Sequence, residues 1–358
     1  MYKRVQLVLL AGAFLAPNVL HAQTATGETL MLTLPRASQH ALITQRIGLT
    51  DITINYHRPL ANGRQIWGKV VPYGQVWRAG ANENTTITFS DPVTIEGQPL
   101  DKGTYGLHMI PGENEWTVIF SKNSSSWGSF TYKQEEDALR VKVKPQAADT
   151  HDALAYDFDD LKPASTVVTM RWDKVAVPFK VDVNVNDLVT ASIHRQVHGL
   201  NQYYWEGWDD AANYFLINKI NLDEALKYED QSIQAEERYD NLMNKSKVLA
   251  AMGRNDDAVA FRNKALDKAN ALQLYIYARQ LQGEKKQDEA LALFQSTAKK
   301  FPDFWTTHLG LARVYSAKGD FTNAVKELKL SMNGAPDANK NTLEAYAKRL
   351  ESKDDINK

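Results

Sequence analysis

The chain has 358 residues, of which 24% are charged and 43% hydrophobic, and its formal net charge is −1. This composition is ordinary for a folded soluble protein, and the balanced charge, without a long run of one sign, gives no indication of a nucleic-acid or anionic-membrane surface. Cysteine is absent, which excludes a thiol nucleophile, a disulfide framework and a cysteine-ligated metal. At roughly 150 residues per domain, the length predicts two domains.

Residues 1–22 have the pattern of a signal peptide. Lys3 and Arg4 form a basic start, the stretch from Val5 to Leu15 is mostly apolar, and a cleavage site follows near Ala22. The apolar stretch is too short to span a bilayer, which needs about 20 residues. The alternative is a buried N-terminal helix. Since no later stretch is apolar enough to cross a membrane, we expect a periplasmic or secreted protein without a transmembrane span.

Residues 28–183 alternate and turn as an antiparallel β protein does. Ile52, Ile54 and Tyr56 alternate with polar residues, and Glu96-Gly97 is one of several turn signals. The stretches with strand character are Asp51–Tyr56, Thr85–Phe89, Thr104–Ile110, Trp116–Phe120, Leu139–Val143, Val167–Trp172 and Phe179–Val183. Short strands at this spacing predict an all-β domain, an antiparallel sandwich or barrel.

Beyond Val183 the pattern becomes that of helical hairpins. Four alanines recur at nearly equal spacing, namely Ala225, Ala258, Ala290 and Ala324. Twelve positions before the last three stand small residues, Ser246, Ala278 and Ala312. A period near 34 with small residues at helix contacts is typical of tetratricopeptide repeats (TPRs), in which each hairpin buries its apolar face against its neighbour.

The sequence therefore predicts a multidomain chain, all-β followed by an all-α, TPR-like helical-hairpin solenoid. We expect a linker and junction helix at residues 184–208 and TPR-like repeats with a capping helix at residues 209–352. The alternative for the helical part is an ordinary helical bundle.

Several strings in the β region resemble domain of unknown function 2911. They are Leu49–Pro59, Gly63–Gly68, Val71–Thr85, Gly103–Tyr105, Ile110–Glu113 and Trp116–Phe120. The likeness covers roughly residues 32–180. It implies an exported protein of the bacterial envelope, in which such a domain is sometimes followed by repeats, and it implies no activity.

The long loop at residues 56–80 and the residues just after it hold most of the candidate ligand-binding side chains. Arginine binds carboxylate, sulfate or phosphate through two hydrogen bonds, and aromatic rings can wall an apolar or sugar-stacking pocket. The candidates are Arg58, Arg64, Trp67, Tyr73, Trp77, Arg78, Asn82 and Glu83. The alternative is structural: Glu83 pairs with one arginine to pin the loop, and the aromatic rings pack beneath it.

His57 and His108 complete the set of candidates. If both met beside Glu83, they could form a two-histidine, one-carboxylate metal site, or a general base with an orienting acid. The spacing does not force them together, so we predict neither a metal site nor a cofactor, and we name no catalytic residue.

Two functions from different classes fit these observations. The first is an exported interaction scaffold, in which the TPR groove binds a peptide or protein partner and the β domain binds a small anionic or sugar ligand. The second is a hydrolase or carbohydrate-active enzyme with an Arg/Glu/His pocket in the β domain. A sugar- or glycan-binding module built on the aromatic residues is a further possibility. Repeat arrays more often bind than catalyse, which favours the scaffold.

Overall fold

A computed structural model of the protein describes residues 34–357, and the chain divides after Val183 into two compact units. The predicted signal peptide lies outside the described residues. The first unit is a domain of antiparallel β-sheets, and the second consists of helices. Within the described residues, no helix combines the length and apolar character needed to cross a membrane.

The β domain contains two sheets in which every pair of neighbouring strands is antiparallel. Its strands are β1 (Gln39–Ile47), β2 (Thr50–Arg58), β3 (Thr86–Phe89), β4 (Val93–Ile95), β5 (Gln98–Leu100), β6 (Gly103–Ile110), β7 (Trp116–Ser121), β8 (Asp137–Val143), β9 (Gln146–Lys162) and β10 (Ser165–Asp182). The six-stranded sheet has the order β1-β2-β3-β6-β7-β8, and the four-stranded sheet has the order β5-β4-β10-β9.

The two sheets pack face to face through large side chains. Phe120 on β7 meets Phe179 on β10 edge to face, with ring centroids 5.7 Å apart. Tyr56 on β2 meets Tyr156 on β9 in the same geometry at 4.8 Å. The alternation expected in β2 places Ile52 on this buried face, at 0% exposure. The predicted all-β domain is thus confirmed, and of the two alternatives it is a sandwich.

One prediction about the strands is wrong. Val167–Trp172 and Phe179–Val183 were expected to be separate strands, but Ser165–Asp182 forms the single strand β10. Asp173 has a positive φ of 52°, and the register with β9 shifts on both sides of it. A β-bulge is therefore centred on Asp173, and a bulge bends a strand without ending it.

Strands β1, β4, β5 and β9 were not among the predicted stretches. Strands β4 and β5 have only three residues each, too few to show alternation. Strands β1 and β9 lie at a sheet edge, and their side chains are mostly exposed or half-buried. Edge strands need no apolar face of their own, so their sequences lack the alternation that marks a central strand.

The helical unit begins with α1 (Val185–Gln196) and continues as four hairpins and a closing helix. The helices of the hairpins are α2 (Trp205–Asn218), α3 (Leu222–Ala235), α4 (Tyr239–Ala251), α5 (Asn255–Lys268), α6 (Ala271–Gly283), α7 (Gln287–Lys300), α8 (Trp305–Ala317) and α9 (Phe321–Gly334), and the closing helix is α10 (Asp337–Glu351). The first helices of successive hairpins and α10 begin at nearly equal spacing, at Trp205, Tyr239, Ala271, Trp305 and Asp337. The predicted hairpin arrangement is confirmed.

The recurring alanines lie where the two helices of a hairpin meet. Ala225, Ala290 and Ala324 are fully buried, and Ala258 is 6% exposed. The small residue Ser246 on α4 approaches α5 so closely that its hydroxyl donates to the Ala258 carbonyl at 2.7 Å. Close helix contact thus explains why small residues recur at these positions.

Two of the three pairs of neighbouring hairpins also touch through their first helices, since α2 contacts α4 and α6 contacts α8. Elements on the inner side of a curved stack are closer together than those on the outer side. The first helices therefore form the inner face of the array, the side that repeat proteins offer to ligands.

Candidate functional site

A polar pocket of about 320 Å³ opens on the six-stranded sheet of the β domain. Its lining is almost entirely hydrogen-bonding side chains. They are His40, Asn55, His57, Glu83, Asn84, Thr86 and the serines Ser124, Ser125 and Ser126. The structure therefore brings two of the predicted site residues, His57 and Glu83, into one cavity.

Glu83 is the charged group of this pocket. One of its carboxylate oxygens accepts a hydrogen bond from Arg36 at 2.5 Å, and the other lies 3.5 Å from Nδ1 of His57. Burial acts to raise the pKa of Glu83, but the hydrogen bond and charge of Arg36, together with a backbone hydrogen bond, outweigh it, so the pKa lies below its ordinary value. Glu83 is therefore ionised at neutral pH.

His57 is held in its neutral form. Burial lowers the pKa of His57, and the opposing effect of the Glu83 charge does not restore it. His40 lies directly opposite His57 in the β1–β2 ladder, with ring centroids 5.3 Å apart, and it bonds to the Asn55 side chain at 2.6 Å. A neutral imidazole beside a carboxylate can accept a proton or a hydrogen bond from a ligand.

The far wall of the pocket is a loop that is tied to the residues around Glu83. The Asn84 backbone donates to the Ser126 carbonyl at 3.1 Å, and the Asn84 side-chain amide donates to the Asn123 carbonyl at 3.2 Å. Asn84 Oδ1 and Glu83 Oε2 are buried without a hydrogen-bond partner in the structure. Neither oxygen is accessible to solvent, so both lie behind the surface of the pocket, where a buried acceptor without a donor costs free energy.

The predicted arginines of the loop lie elsewhere. Arg58 donates to the Leu154 carbonyl at 2.8 Å, and Arg64 donates to the carbonyls of Ala61 and Leu60 at 3.0 and 2.5 Å. Both therefore fix the backbone of the long loop. The arginine that does pair with Glu83 is Arg36, which comes from before β1 and was not predicted.

Trp67 and Trp77 belong to a cluster of four tryptophans beneath the loop. Trp67 packs against Trp116 of β7 with ring centroids 4.9 Å apart, and Trp77 stacks on Trp172 of β10 at 5.8 Å. The Trp77 indole donates to the Gly80 carbonyl at 3.1 Å. These contacts match the structural alternative, in which the aromatic residues of the loop anchor it to the sandwich.

Tyr73 and Asn82 are placed at the surface and at the edge of the loop. Tyr73 is 44% exposed and lies over Gly68, whose positive φ of 80° leaves room for the ring. Asn82 also has a positive φ, of 59°, and its amide donates to the Ser38 carbonyl at 3.3 Å. Asn82 therefore fixes the segment that carries Arg36, which in turn positions Glu83.

His108 and Arg78 belong to a separate group. His108 is 2% exposed, bonds through Nδ1 to the Ser129 hydroxyl at 2.9 Å and packs on Tyr132. Burial lowers the pKa of His108 to about 4, against a smaller opposing effect of Asp137. Burial also lowers the pKa of Arg78, and its Nε has no hydrogen-bond partner in the structure. His108 does not line the pocket of His57 and Glu83.

The described residues contain no group of three or more acidic or histidine side chains arranged to hold a metal ion. The three-residue metal site considered from the sequence is therefore not formed by His57, His108 and Glu83. Arg36, His40 and Asn55 were not predicted. Arg36 precedes β1 and His40 lies in β1, so their places beside Glu83 and His57 follow only once the pairing of β1 with β2 is known.

A second candidate surface lies on the inner face of the helical unit. On α6, Leu272 and Ile276 are 42% and 56% exposed, whereas Leu274, Ala278 and Leu281 on its other side are buried. Residues four apart share one face of a helix, so the two exposed side chains form an apolar patch.

Comparison with known proteins bears on the first unit. A sequence-family model described as "Protein of unknown function (DUF2911)" matches residues 38–181. The resemblance inferred from the sequence is thus confirmed for the β domain. None of the curated proteins matches the chain.

Among solved structures, 49 chains match. One of them is described as "Crystal structure of YrrB: a TPR protein with an unusual peptide-binding site". It is 19% identical, and the alignment covers 46% of this chain and 85% of that chain with a TM-score of 0.28. A likeness at this level says nothing about the ligand or partner of this chain.

Proposed function

We propose that this chain, a DUF2911 domain followed by helical hairpins, is an exported protein-interaction scaffold. In this proposal the hairpins bind a segment of a partner protein along their inner face, and the β domain is an anchor or a ligand-sensing module. Stacked hairpins offer a long surface on which an extended or helical segment can lie. This step from fold to function is an argument by analogy.

The observation that carries the proposal is the apolar patch of Leu272 and Ile276 on α6. Exposed aliphatic side chains at i and i+4 are costly in water, and on a first helix they face the inner side of the array. Tyr275 lies beside them, half-buried. A partner segment that buries two aliphatic side chains and part of an aromatic ring would gain several kcal/mol of apolar burial, at roughly 25 cal/mol per Å².

Capture of partners by the purified full chain tests this function. We expect the wild-type protein to recover a defined partner from envelope extract, and the double variant Leu272→Asp/Ile276→Asp to lose it while its circular dichroism is unchanged. The matched control is Val259→Asp, which places the same charge at a residue 43% exposed on α5, a second helix. Equal capture by the double variant and the control would show that the partner does not bind through the inner face at Leu272 and Ile276.

Export is the second part of the proposal, and it is supported by the basic start, the short apolar stretch and the small residue at Ala22. Fractionation of producing cells, with the mass of the purified protein, tests it. We expect a protein that begins just after Ala22 and lies outside the cytoplasm. A cytoplasmic protein that retains residues 1–22 would contradict it.

A second candidate function is binding of a small polar ligand in the pocket of the β domain. It is favoured by the polar lining of that pocket, in which His57 and Glu83 stand beside Ser124, Ser125 and Ser126. A ligand with several donors and acceptors, such as a sugar or an amide, would hydrogen-bond to these side chains. Thermal-shift titration with a panel of sugars, amides and carboxylates tests this, and Glu83→Gln should abolish any shift that is found.

The enzymatic alternative now depends on fewer residues than the sequence suggested. Arg58 and Arg64 bind backbone carbonyls, and His108 lies in a different group. A hydrolase would have to use the His57–Glu83 pair with a hydroxyl of Ser124–Ser126, which line the same pocket. Turnover of chromogenic esters and glycosides by the wild type but not by His57→Ala would favour it.

A further inference from the structure

The segment that follows α10 folds back onto the first helices α6 and α8; we call Asp354–Asn357 the tail segment. Both polar backbone atoms of its residue Ile356 are bound by side chains of α8. Arg313 donates to the Ile356 carbonyl at 2.7 Å, and the Ile356 N–H donates to the Ser316 hydroxyl at 3.0 Å. Ile356 and Asn357 form a turn, in which the Asn357 N–H donates to the Asp355 carboxylate at 3.1 Å. Side chains that hydrogen-bond the backbone of such a segment are a means of recognising a peptide.

The side chain of Ile356 is the apolar anchor of the tail segment. It is 2% exposed and packs in a cluster with Leu309, Ala312, Leu343 and Leu350. Full burial of an isoleucine side chain contributes roughly 1.5–3 kcal/mol. The tail segment is therefore held by an apolar pocket as well as by its backbone.

The residues on either side of Ile356 are also bound. The Asp355 carboxylate accepts a hydrogen bond from the Ser316 hydroxyl at 2.8 Å. The Asn357 side chain accepts from the Gln282 amide at 2.7 Å and donates to the Arg313 carbonyl at 2.9 Å. Each of the three consecutive side chains thus makes a specific contact. Asp355 contacts α8, Ile356 packs in the apolar cluster, and Asn357 contacts α6.

The tail segment crosses corresponding positions of two hairpins. Gln282 on α6 and Ser316 on α8 lie equally far along their helices, which begin at Ala271 and Trp305. A segment that spans equivalent positions of successive first helices lies along the inner face of the array. It occupies the face next to the apolar patch of α6.

Arg313 shows that this face requires an occupant. Its side chain is 1% exposed, donates from Nε to the Tyr275 hydroxyl at 3.1 Å and lies 4.9 Å from the Tyr346 ring. A buried guanidinium has five donors and is costly to leave unpaired. If the tail segment left, another backbone carbonyl would have to take the place of that of Ile356.

We propose that this face of α6 and α8 is a docking site for a partner segment of the type Asp–aliphatic–Asn that forms the same turn, and that the tail segment is its intramolecular competitor. The proposal rests on the interaction function proposed above and names the chemistry of the partner segment. An occupant joined through a short link has an effective concentration in the millimolar range. Partner segments therefore bind only when they outcompete the tail segment.

Binding of a fluorescent peptide with the sequence of residues 352–358 to the full chain tests the proposal. The variant Ile356→Asp removes the anchor of the tail segment and leaves the docking site intact. We expect this variant to bind the peptide at least about tenfold more tightly than the wild type. The same peptide carrying Ile356→Asp is the matched control and should bind neither protein.

A folded Ile356→Asp variant that does not bind the peptide, or that binds it no more tightly than the wild type, would overturn the proposal. Circular dichroism and thermal unfolding establish that the variant is folded. If it is not, a disulfide gives a second test, because the chain has no cysteine of its own. The double variant Gln282→Cys/Asn357→Cys lacks the Gln282–Asn357 contact but keeps Arg313 and Ser316, so when reduced it should bind the peptide more weakly than a folded Ile356→Asp would. When oxidised it should lose that binding, and equal binding in the two states would overturn the proposal.

The partner-capture experiment separates this proposal from the function on which it rests. If the wild type and Ile356→Asp capture the same amount of one defined partner through Leu272 and Ile276, the scaffold function holds and the competitor role of the tail segment fails. If neither protein captures a partner and the peptide does not bind, both proposals fail. More partner on Ile356→Asp than on the wild type supports both.

Discussion

Glu229 on α3 is fully buried, and its carboxyl group accepts a hydrogen bond from the side-chain amide of Asn244 on α4. Its second oxygen has no hydrogen-bond partner in the structure. Burial and the neighbouring charge of Asp209 raise the pKa of Glu229 well above its usual range, and burial raises the pKa of Asp209 to about 6. Glu229 therefore keeps its proton in the folded protein at neutral pH.

We expect Glu229→Gln to stabilise the helical unit at neutral pH. Because the folded-state pKa of Glu229 is raised, its contribution to stability is fully present below the unfolded pKa near 4.5 and is lost as pH rises. The variant has no such loss, so its advantage in free energy of unfolding should grow by roughly 1 kcal/mol per pH unit above pH 5. Urea unfolding at pH 5, 6, 7 and 8 measures it.

The matched control for Glu229 is Glu289→Gln on α7, which changes an exposed glutamate. Its effect on the free energy of unfolding should stay within about 0.5 kcal/mol at every pH. An advantage of Glu229→Gln that did not change between pH 5 and pH 8 would mean that Glu229 is ionised in the folded protein.

The β domain should respond to acid in the opposite direction, through His108. Burial lowers the pKa of His108 to about 4, so the stability it contributes is present above its unfolded pKa of 6.5 and is lost as pH falls from there towards 4. In the wild type this lowers the free energy of unfolding by at most roughly 1 kcal/mol per pH unit, and we expect a smaller decrease in His108→Gln. Unfolding of the wild type and the variant at pH 7, 6 and 5 measures the difference.

His151→Gln, on the edge strand β9, is the control for His108 because this residue is half-buried and on the same domain. It should retain the acid sensitivity of the wild type. If His108→Gln also retained it, another group would be responsible, and His57 would be the first to examine because burial lowers its pKa too.

The helical repeats could be predicted in detail because their packing imposes a local rule. Ala225, Ala290 and Ala324 recur because a larger side chain would separate the helices of each hairpin. Strands β1 and β9 follow no such rule, since an edge strand is stabilised by its hydrogen-bonded neighbour and not by an apolar face of its own. The sandwich was therefore predicted as a class, while its edge strands β1 and β9 and its three-residue strands β4 and β5 were missed.

For the polar pocket, sequence reasoning found the residues that lie in or beside the long loop and missed those that come from elsewhere. His57 and Glu83 stood out as polar residues among loop signals. Arg36 and His40 reach the same place only because β1 pairs with β2 in a particular register. The contacts of the tail segment, such as that of Arg313 with Ile356, join residues far apart in the chain. Such contacts produce no repeating pattern in the sequence from which they could be predicted.

Two helical glycines should respond in opposite ways to replacement by alanine. On α8, a Cβ added to Gly310 would lie 2.7 Å from Cδ1 of the buried Phe294, which cannot move away. Gly283 on α6 has no atom within 4 Å of that position. We expect Gly310→Ala to destabilise the protein by about 1–3 kcal/mol and Gly283→Ala to stabilise it by up to about 1 kcal/mol.

Thermal unfolding of both glycine variants beside the wild type checks these signs. Each variant adds the same methyl group in a first helix, so each serves as the control for the other. An unchanged melting temperature for Gly310→Ala would contradict the close packing of α8 on Phe294 of α7, and a lower one for Gly283→Ala would contradict the open space beside Gly283.

The return of the chain after α10 depends on Lys353, which has a positive φ of 56°. Its N–H donates to the Leu350 carbonyl at 3.0 Å, and the Asp354 N–H donates to the Arg349 carbonyl at 2.8 Å, so the helix ends in a left-handed turn of the kind that favours glycine. Lys353→Gly should relieve this strain and raise the free energy of unfolding by up to about 1 kcal/mol.

The same substitution within α10 provides the control for Lys353. Lys340 lies in the helix with ordinary helical geometry and an exposed side chain, so Lys340→Gly should lower the free energy of unfolding by about 1 kcal/mol. Replacement of lysine by glycine is therefore expected to lower the melting temperature inside the helix, at Lys340, and to raise it just beyond the helix end, at Lys353. If Lys353→Gly were as destabilising as Lys340→Gly, the turn would not be left-handed, and the tail segment would have to reach α8 by another path.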